Sequence, residues 1–387
     1  MLMKKKIKVL QVIPRLGYGG AETGCYDLAH FLPEQNCKSY IATSGGELLK
    51  YIKKDKVKVF RLPVHSKNPI LILINIFFII SIILFYNINI VHARSRAPAW
   101  SCLIATKITR RKFVTTFHGT YNYTNKIKKF YNSVMVMSNL VIAGSNFIFS
   151  HISENYGNFF LNTKRKLLVV FRGINTSYFH SKKISHTKIE KFSKANNIDR
   201  NNFIILLPGR LTHWKGQKLF IEAIKILTEK NDIQSFEAVI LGSEQGRNVY
   251  KKKLIRLVDQ HRLVNDVLFV DNLKLMPIAY KISNIVVSAS TEPEAFGRIS
   301  VEAQSMEKPI IASNIGGSKE TIINERTGFL FESGNSGKLS EKIAEILNLS
   351  DVTLNGIGTE ARKNVISKFT VEKMCFSTYS EYKKLFK

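Results

Sequence analysis

The sequence predicts an α/β protein in two halves of similar size, each a parallel sheet covered by helices. Two observations carry that expectation. Short apolar runs recur along the chain with amphipathic stretches between most of them, the pattern of buried parallel strands joined by crossover helices. The alternation stops once, in a stretch from Arg172 to Asn202 rich in Lys, Ser and Asn, and then restarts, as it does at a link between domains. The length of 387 residues suits two domains, at about 100–200 residues each.

In the first half the expected strands are Ile7–Ile13, Ser39–Ala42, Val57–Leu62, Ile88–His92, Phe113–Phe117, Leu140–Ala143 and Leu167–Phe171, with helices such as Ala21–Leu32 and Trp100–Ile108 between them. In the second half they are Phe203–Leu207, Ala238–Leu241, Val267–Val270, Ile285–Ser288 and Pro309–Ala312, followed by a helical tail from Ser336. The run Ile70–Phe85 is apolar except for Asn75 and Ser81. It is shorter than the roughly 20 residues of a spanning helix, and it lies between two strands expected in one sheet. It therefore reads as a buried or interfacial helix. The N-terminal apolar run is broken by Lys8 and ended by Pro14, which is too short for a signal-peptide core, and the chain reads as cytoplasmic.

Composition narrows the partners. With 45% apolar residues, 22 Gly and 9 Pro, the chain is neither collagenous nor disordered. Cys25, Cys37, Cys102 and Cys375 form no CxxC pair and sit in apolar surroundings, as buried thiols do in a reducing compartment. The net charge is +29, and residues 1–180 hold most of it, with 26 basic against 6 acidic residues. Such a surface meets anions: nucleic acid, anionic lipid or phosphorylated ligands.

Three motifs fall just after expected strands, at the carboxyl ends where parallel sheets bind ligands. Two such domains facing each other make a cleft there. Gly17, Gly19 and Gly20 open a helix in Pro14-Arg-Leu-Gly-Tyr-Gly-Gly-Ala-Glu, and a glycine turn at a helix N-terminus admits an anion. The spacing is not GxGxxG, and a plain tight turn explains it equally well. Gly209-Arg-Leu-Thr-His-Trp-Lys-Gly puts Arg210 and Lys215 beside a second helix start, a site for a diphosphate or else a solvated basic turn. In Glu292-Pro-Glu-Ala-Phe-Gly-Arg-Ile-Ser-Val-Glu, seven residues separate Glu294 from Glu302, and Gly297 opens a helix between them. A loop carboxylate and a helix carboxylate there suit the hydroxyls of a sugar or ribose. Together the motifs describe a pocket for a nucleotide-diphosphate sugar.

These residues resemble the retaining glycosyltransferases of family four, with the GT-B fold. Glu294 and Glu302 resemble that family's E-x7-E motif, Gly209-Arg210 with Lys215-Gly216 its diphosphate motif, and Gly19-Gly20-Ala-Glu22 its first turn. Phe117-His118-Gly119, Gly173-Ile-Asn175 with Phe179, Leu241-Gly242 with Gly246, Gly316-Gly317 with Glu320, and Thr327-Gly328 follow in family order. Arg172, Ala295 and Arg298 depart from the common pattern, which bears on the donor.

The resemblance implies two Rossmann-like domains: residues 1–180 for the acceptor, residues 181–370 for the nucleotide sugar, and a helix 371–387 crossing back. It implies hexosyl transfer in cell-envelope polysaccharide or lipopolysaccharide synthesis. In that reading Arg210 and Lys215 stabilise the leaving diphosphate, Glu302 holds the ribose and Glu294 the donor sugar. His118 faces the sugar from the first domain. Gly19, Gly20, Gly209, Phe296, Gly297 and Arg298 complete the donor site. No cofactor beyond the donor substrate is implied. No two of the eight aspartates form a D-x-D pair, so cations replace a metal. The basic first half beside Ile70–Phe85 suits peripheral docking on an anionic membrane, at the inner face of the plasma membrane, with a saccharide or lipid-linked acceptor. Rival readings are a GT-B nucleotide-sugar epimerase and a basic nucleic-acid binder. The second lacks any recognisable module, and the acidic pair opposes it, so no nucleic acid is expected.

Overall fold

The computed structural model describes residues 6–230, 234–243, 248–271 and 275–386. Gly246, which enters the sequence reading, lies outside them. The described chain forms two compact units: residues 1–173 with 371–387, and residues 174–370.

Unit 1 is a seven-stranded sheet of β1 (Lys8–Val12), β2 (Lys38–Thr43), β3 (Val57–Arg61), β4 (Ile90–Ala93), β5 (Lys112–Phe117), β6 (Leu140–Ala143) and β7 (Lys166–Val169). Every pairing is parallel, in the order β3-β2-β1-β4-β5-β6-β7. Unit 2 repeats the scheme with β8 (Phe203–Pro208), β9 (Phe236–Leu241), β10 (Val267–Val270), β11 (Ile285–Ser288), β12 (Ile310–Ser313) and β13 (Phe329–Phe331), ordered β10-β9-β8-β11-β12-β13. Each sheet is doubly wound, and its order reverses once, between β1 and β4 and between β8 and β11. Ligands bind at such switch points because the connections leave in opposite directions and open a crevice.

The inner strands of each sheet are buried on both faces. Leu10, Val12, Ile41 and Val91 in unit 1, and Ile205, Ile240 and Val287 in unit 2, are all but inaccessible, each worth about 1.5–3 kcal/mol of burial. β13 was not legible in the sequence. It is three residues long and lies at a sheet edge, too short to show a period.

Two boundaries are set by contacts far apart in sequence. Residues 174–180, expected in the first domain, belong to unit 2. Ile174 forms a parallel bridge with Thr370. Phe179 is buried, its ring meets Tyr280 at 6.1 Å, and its carbonyl accepts from Ser305 Oγ at 2.7 Å. The helix Val371–Phe386 belongs to unit 1, where Met374, Cys375 and Tyr382 share a core with Val9, Leu28 and Leu32. All four cysteines are free and buried.

Ile70–Phe85 lies within one helix, Pro69–Tyr86, which connects β3 to β4. Its Asn68 caps the first turn through Oδ1, and Asn87 ends it in the left-handed conformation. Ile76, Ile79, Ile82 and Ile83 are buried, while the other side of the helix is bare.

Candidate active site

The residues singled out in the sequence gather at the carboxyl ends of both sheets. In unit 2 the turn after β8 is laced to the loop after β11. Thr291 N–H donates to the Trp214 carbonyl at 2.8 Å. Gly216 stands at φ +75°, and a Cβ there would overlap the Ala289 carbonyl, so only glycine lets the turn pass. This turn delivers Lys215 Nζ to Glu294 Oε1 at 2.7 Å, with both side chains about one-tenth exposed. Ser290 Oγ donates to the same oxygen at 2.6 Å, and Lys215 lies 4.5 Å from the Trp214 ring centroid. Arg210, at the end of β8, is exposed. Among the described residues its guanidinium has no hydrogen-bonding or ionic partner.

Gly297 takes the left-handed conformation, φ +80°, that starts the helix Arg298–Ser305. A Cβ there would come within 2.8 Å of Ser318 Cα. Glu302 in this helix is buried. Its Oε1 accepts from Arg298 Nε at 2.6 Å and its Oε2 from Tyr280 at 2.9 Å. Burial pushes the Tyr280 phenol well above its usual range, the bonded Glu302 adds to that, and Glu294 contributes as a further neighbouring negative charge. The two carboxylates of the seven-residue spacing thus bear on one tyrosine.

The geometry bears on two of the expected site residues. Glu302 is already shared between Arg298 and Tyr280, so both of its carboxylate oxygens are engaged within the protein. Phe296 is buried with its ring edge-on to Phe369 at 5.6 Å, so any ligand contact it makes is through its backbone. Gly209, whose N–H donates to the Leu241 carbonyl at 2.9 Å, ties the loop to β9.

In unit 1 the helix Gly20–Glu34 starts at the expected turn, with Gly19 as N-cap. Glu22 in the first turn curls back over Gly19, so the helix N-terminus already faces a carboxylate of its own chain. His118 follows β5. Its Nδ1 is bonded to the Arg172 guanidinium, which also donates to the Gly20 carbonyl. Arginine stays protonated and can only donate. Nδ1 therefore holds a lone pair, and the proton of the neutral ring is on Nε2. That atom is buried with no hydrogen-bond partner among the described residues, a donor left over for a ligand acceptor. Arg94, buried after β4, is held by Gln11 Oε1 at 2.6 Å and 3.1 Å. Tyr280, Ser290, Arg94 and Gln11 carry no motif, and nothing in the sequence marks them.

His118 is held well below the usual imidazole range by burial first, then by Arg172, Arg94 and His92. His92, whose ring nitrogens bond Tyr382 and Thr116, is held down by burial and Arg94. Both imidazoles gain protons on unfolding in acid. Their contribution to stability is complete above about pH 6.5 and is lost as pH falls below it, by up to about 1.4 kcal/mol per pH unit for each. Thermal midpoints of wild type and His118→Gln between about pH 7.5 and about 5.5 test this. The variant should lose less stability over that interval, and equal losses would remove His118 from the account.

Among the described residues no three His, Cys, Asp or Glu side chains are grouped to hold a metal ion.

Comparison with known proteins covers both units. The profile of the family described as glycosyl transferases group 1 matches residues 188–364, and that of glycosyltransferase family 4 matches residues 18–178. A glycosyltransferase of solved structure from Rickettsia africae ESF-5 is 38% identical over 99% of this chain and 100% of its own, with a TM-score of 0.89. The capsular polysaccharide biosynthesis glycosyltransferase CapM of Staphylococcus aureus is 25% identical over 88% of each chain. Anabaena HepE, solved with UDP-glucose, shares the fold at a TM-score of 0.82 with 20% identity, over 98% of this chain and 100% of its own.

Proposed function

We propose a reaction for this chain from one premise: it belongs to the group 1 glycosyltransferases, with the two-unit GT-B fold. It takes a hexose from a UDP-sugar and transfers it, with retention at the anomeric carbon, to a saccharide or lipid-linked acceptor in cell-envelope glycan synthesis. The observation that carries the reading is the interlocked pair in unit 2. Lys215 and Arg210 stand at a helix start beside Glu294, and Glu302 lies on the next helix. HepE, of the same fold, was solved with UDP-glucose, and CapM is a capsular polysaccharide enzyme. The first is in keeping with a UDP-hexose donor and the second with an envelope acceptor.

In this reading the bond from the anomeric carbon to the diphosphate breaks as the acceptor oxygen bonds to the same face. The electron pair of the broken bond leaves with the diphosphate, and the acceptor proton goes to the departing phosphate oxygen. Lys215, held by Glu294, stands fixed where that charge develops, and the exposed Arg210 adds a second cation beside it. Preorganised charge of this kind lowers the barrier without reorganising during the reaction. The helix N-termini at Gln217 and Arg298 add backbone N–H groups. Glu294 accepts from donor-sugar hydroxyls, Glu302 from the ribose, and His118 Nε2–H donates to a ligand oxygen. No protein nucleophile is invoked, and the arginine and lysine take the place of a metal.

A thermal-shift panel of UDP-, GDP-, ADP- and dTDP-sugars in EDTA tests this. A ligand at 100 times its Kd stabilises by about 2.7 kcal/mol. The expected result is a shift with UDP-hexose alone, unaffected by EDTA and reduced in Glu302→Gln. Glutamine is the better probe here because alanine would strand Tyr280 and Arg298. No UDP-sugar shift, or one that needs metal, would sink the reading.

A further inference from the structure

The helix Pro69–Tyr86 is the least explained feature of unit 1. One side of it packs on the sheet and on the helix Arg96–Ile108, where Ser101 Oγ reaches the Ile72 carbonyl at 3.2 Å. The opposite side is bare and apolar. Positions 70, 73, 77 and 84, with 74, 78 and 85, fall on one face at helical spacing. Phe77 is 67% and Phe85 83% exposed. The one polar side chain on this face, Ser81, donates to the Phe77 carbonyl at 3.0 Å, so no group on it requires water. Monomeric soluble proteins rarely leave a contiguous apolar face of this kind uncovered.

Charge indicates what covers it. Residues 56–153 contain 13 Lys and Arg and no Asp or Glu. Two of these cations, with Lys8, surround the C-terminal end of the helix. Lys8 Nζ donates to the Tyr86 carbonyl at 2.9 Å, Arg111 to Asn87 Oδ1 at 2.9 Å, and Lys58 stands 4.6 Å from the Tyr86 ring centroid. At the other end Lys67 is exposed. The neighbouring helix Arg96–Ile108 exposes Ile104 and Ile108 on either side of Lys107.

We propose that this bare face is a membrane-docking surface. The helix lies in the plane of an anionic bilayer, with its apolar side chains below the head groups and the surrounding lysines and arginines on the lipid phosphates. Apolar burial and charge attraction act together in such helices. A second copy of the chain fits the face poorly, since pairing would bring two copies of this acid-free stretch and its exposed cations together. Spanning the bilayer is opposed by the sheet. The helix joins β3 to β4, and both strands pair within one sheet around β2 and β1, so neither end can cross to the far side. The proposal rests on the glycosyltransferase reading only for its purpose, bringing unit 1 to a lipid-linked acceptor.

Flotation of the full chain with phosphatidylcholine vesicles, and with vesicles about one-third phosphatidylglycerol, tests it against Phe77→Glu/Phe85→Glu. Both positions are exposed, and unchanged thermal unfolding of the variant confirms its fold. The expected result is flotation with anionic vesicles only, weakened by salt and at least about tenfold lower in the variant. Undiminished flotation of the variant, equal flotation with both lipids, or a solution dimer that the variant dissolves would each overturn the proposal. The UDP-sugar shift, measured in the same samples, separates the two readings. Lost flotation with an intact shift counts against the docking face alone, and flotation without a shift counts against the donor site alone.

Discussion

Lys215→Met is expected to lose about 100- to 1,000-fold in turnover, the cost of removing one preorganised charge from a developing anion. It should also destabilise unit 2 by about 3–5 kcal/mol, because it strands a buried carboxylate. Lys215 and Glu294 are each about one-tenth exposed and 2.7 Å apart. Without the ammonium, Glu294 keeps only the Ser290 hydroxyl among the bonds described above. The two losses separate in Lys215→Met/Glu294→Gln. With both charges gone no buried ion is left unpaired, and most of the stability should return. In the proposed mechanism turnover should not return, and should stay well below that of Glu294→Gln alone, because the cation assigned to the diphosphate is still missing. Urea unfolding and UDP release under steady-state conditions read the two quantities. Recovery of turnover in the double variant would show that Lys215 serves only to satisfy Glu294. A single variant as stable as wild type would show that the pair is well solvated.

Gly216→Ala is expected to cost about 3 kcal/mol or more, an unusually large effect for one methyl group. Two terms add. The left-handed backbone costs any other residue about 1–2 kcal/mol. The new Cβ also overlaps the Ala289 carbonyl at the end of β11, and relieving such overpacking costs typically about 1–3 kcal/mol. Gly334→Ala isolates the first term, since Gly334 has nearly the same φ, +81°, with nothing within 4 Å of its Cβ position. It should lose only about 1 kcal/mol. Because relief at Gly216 must move the turn that carries Lys215, UDP-sugar binding should fall with stability there and stay unchanged in Gly334→Ala. Equal losses of stability at the two glycines would refute the steric account.

The chemistry-bearing motifs were legible because each is local. Gly209 to Gly216 and Glu294 to Glu302 are short stretches in which a strand end, a glycine and a helix start fix where side chains point. The repeated alternation of buried runs and helices was sufficient to give two parallel sheets, since a strand covered on both faces reads as apolar throughout. The apolar character of Ile70–Phe85 was equally plain, but not which side is bare. A run apolar at nearly every position has no hydrophobic period, so it assigns no face.

What only the tertiary structure decided involves groups distant in sequence. Lys215 and Glu294 are 79 residues apart, Arg172 and His118 are 54 apart, and Tyr280 reaches Glu302 across 22. Folding places these partners, and no spacing rule encodes them. The sequence alone therefore determined the family, the two-sheet architecture and the residue types of the site. The protonated nitrogen of His118, the sharing of Glu302 and the transfer of residues 174–180 to unit 2 follow from packing and hydrogen bonding between separate elements. A protonation state or a domain boundary is set by what surrounds a residue in space, and the one-dimensional order of the chain does not specify those surroundings.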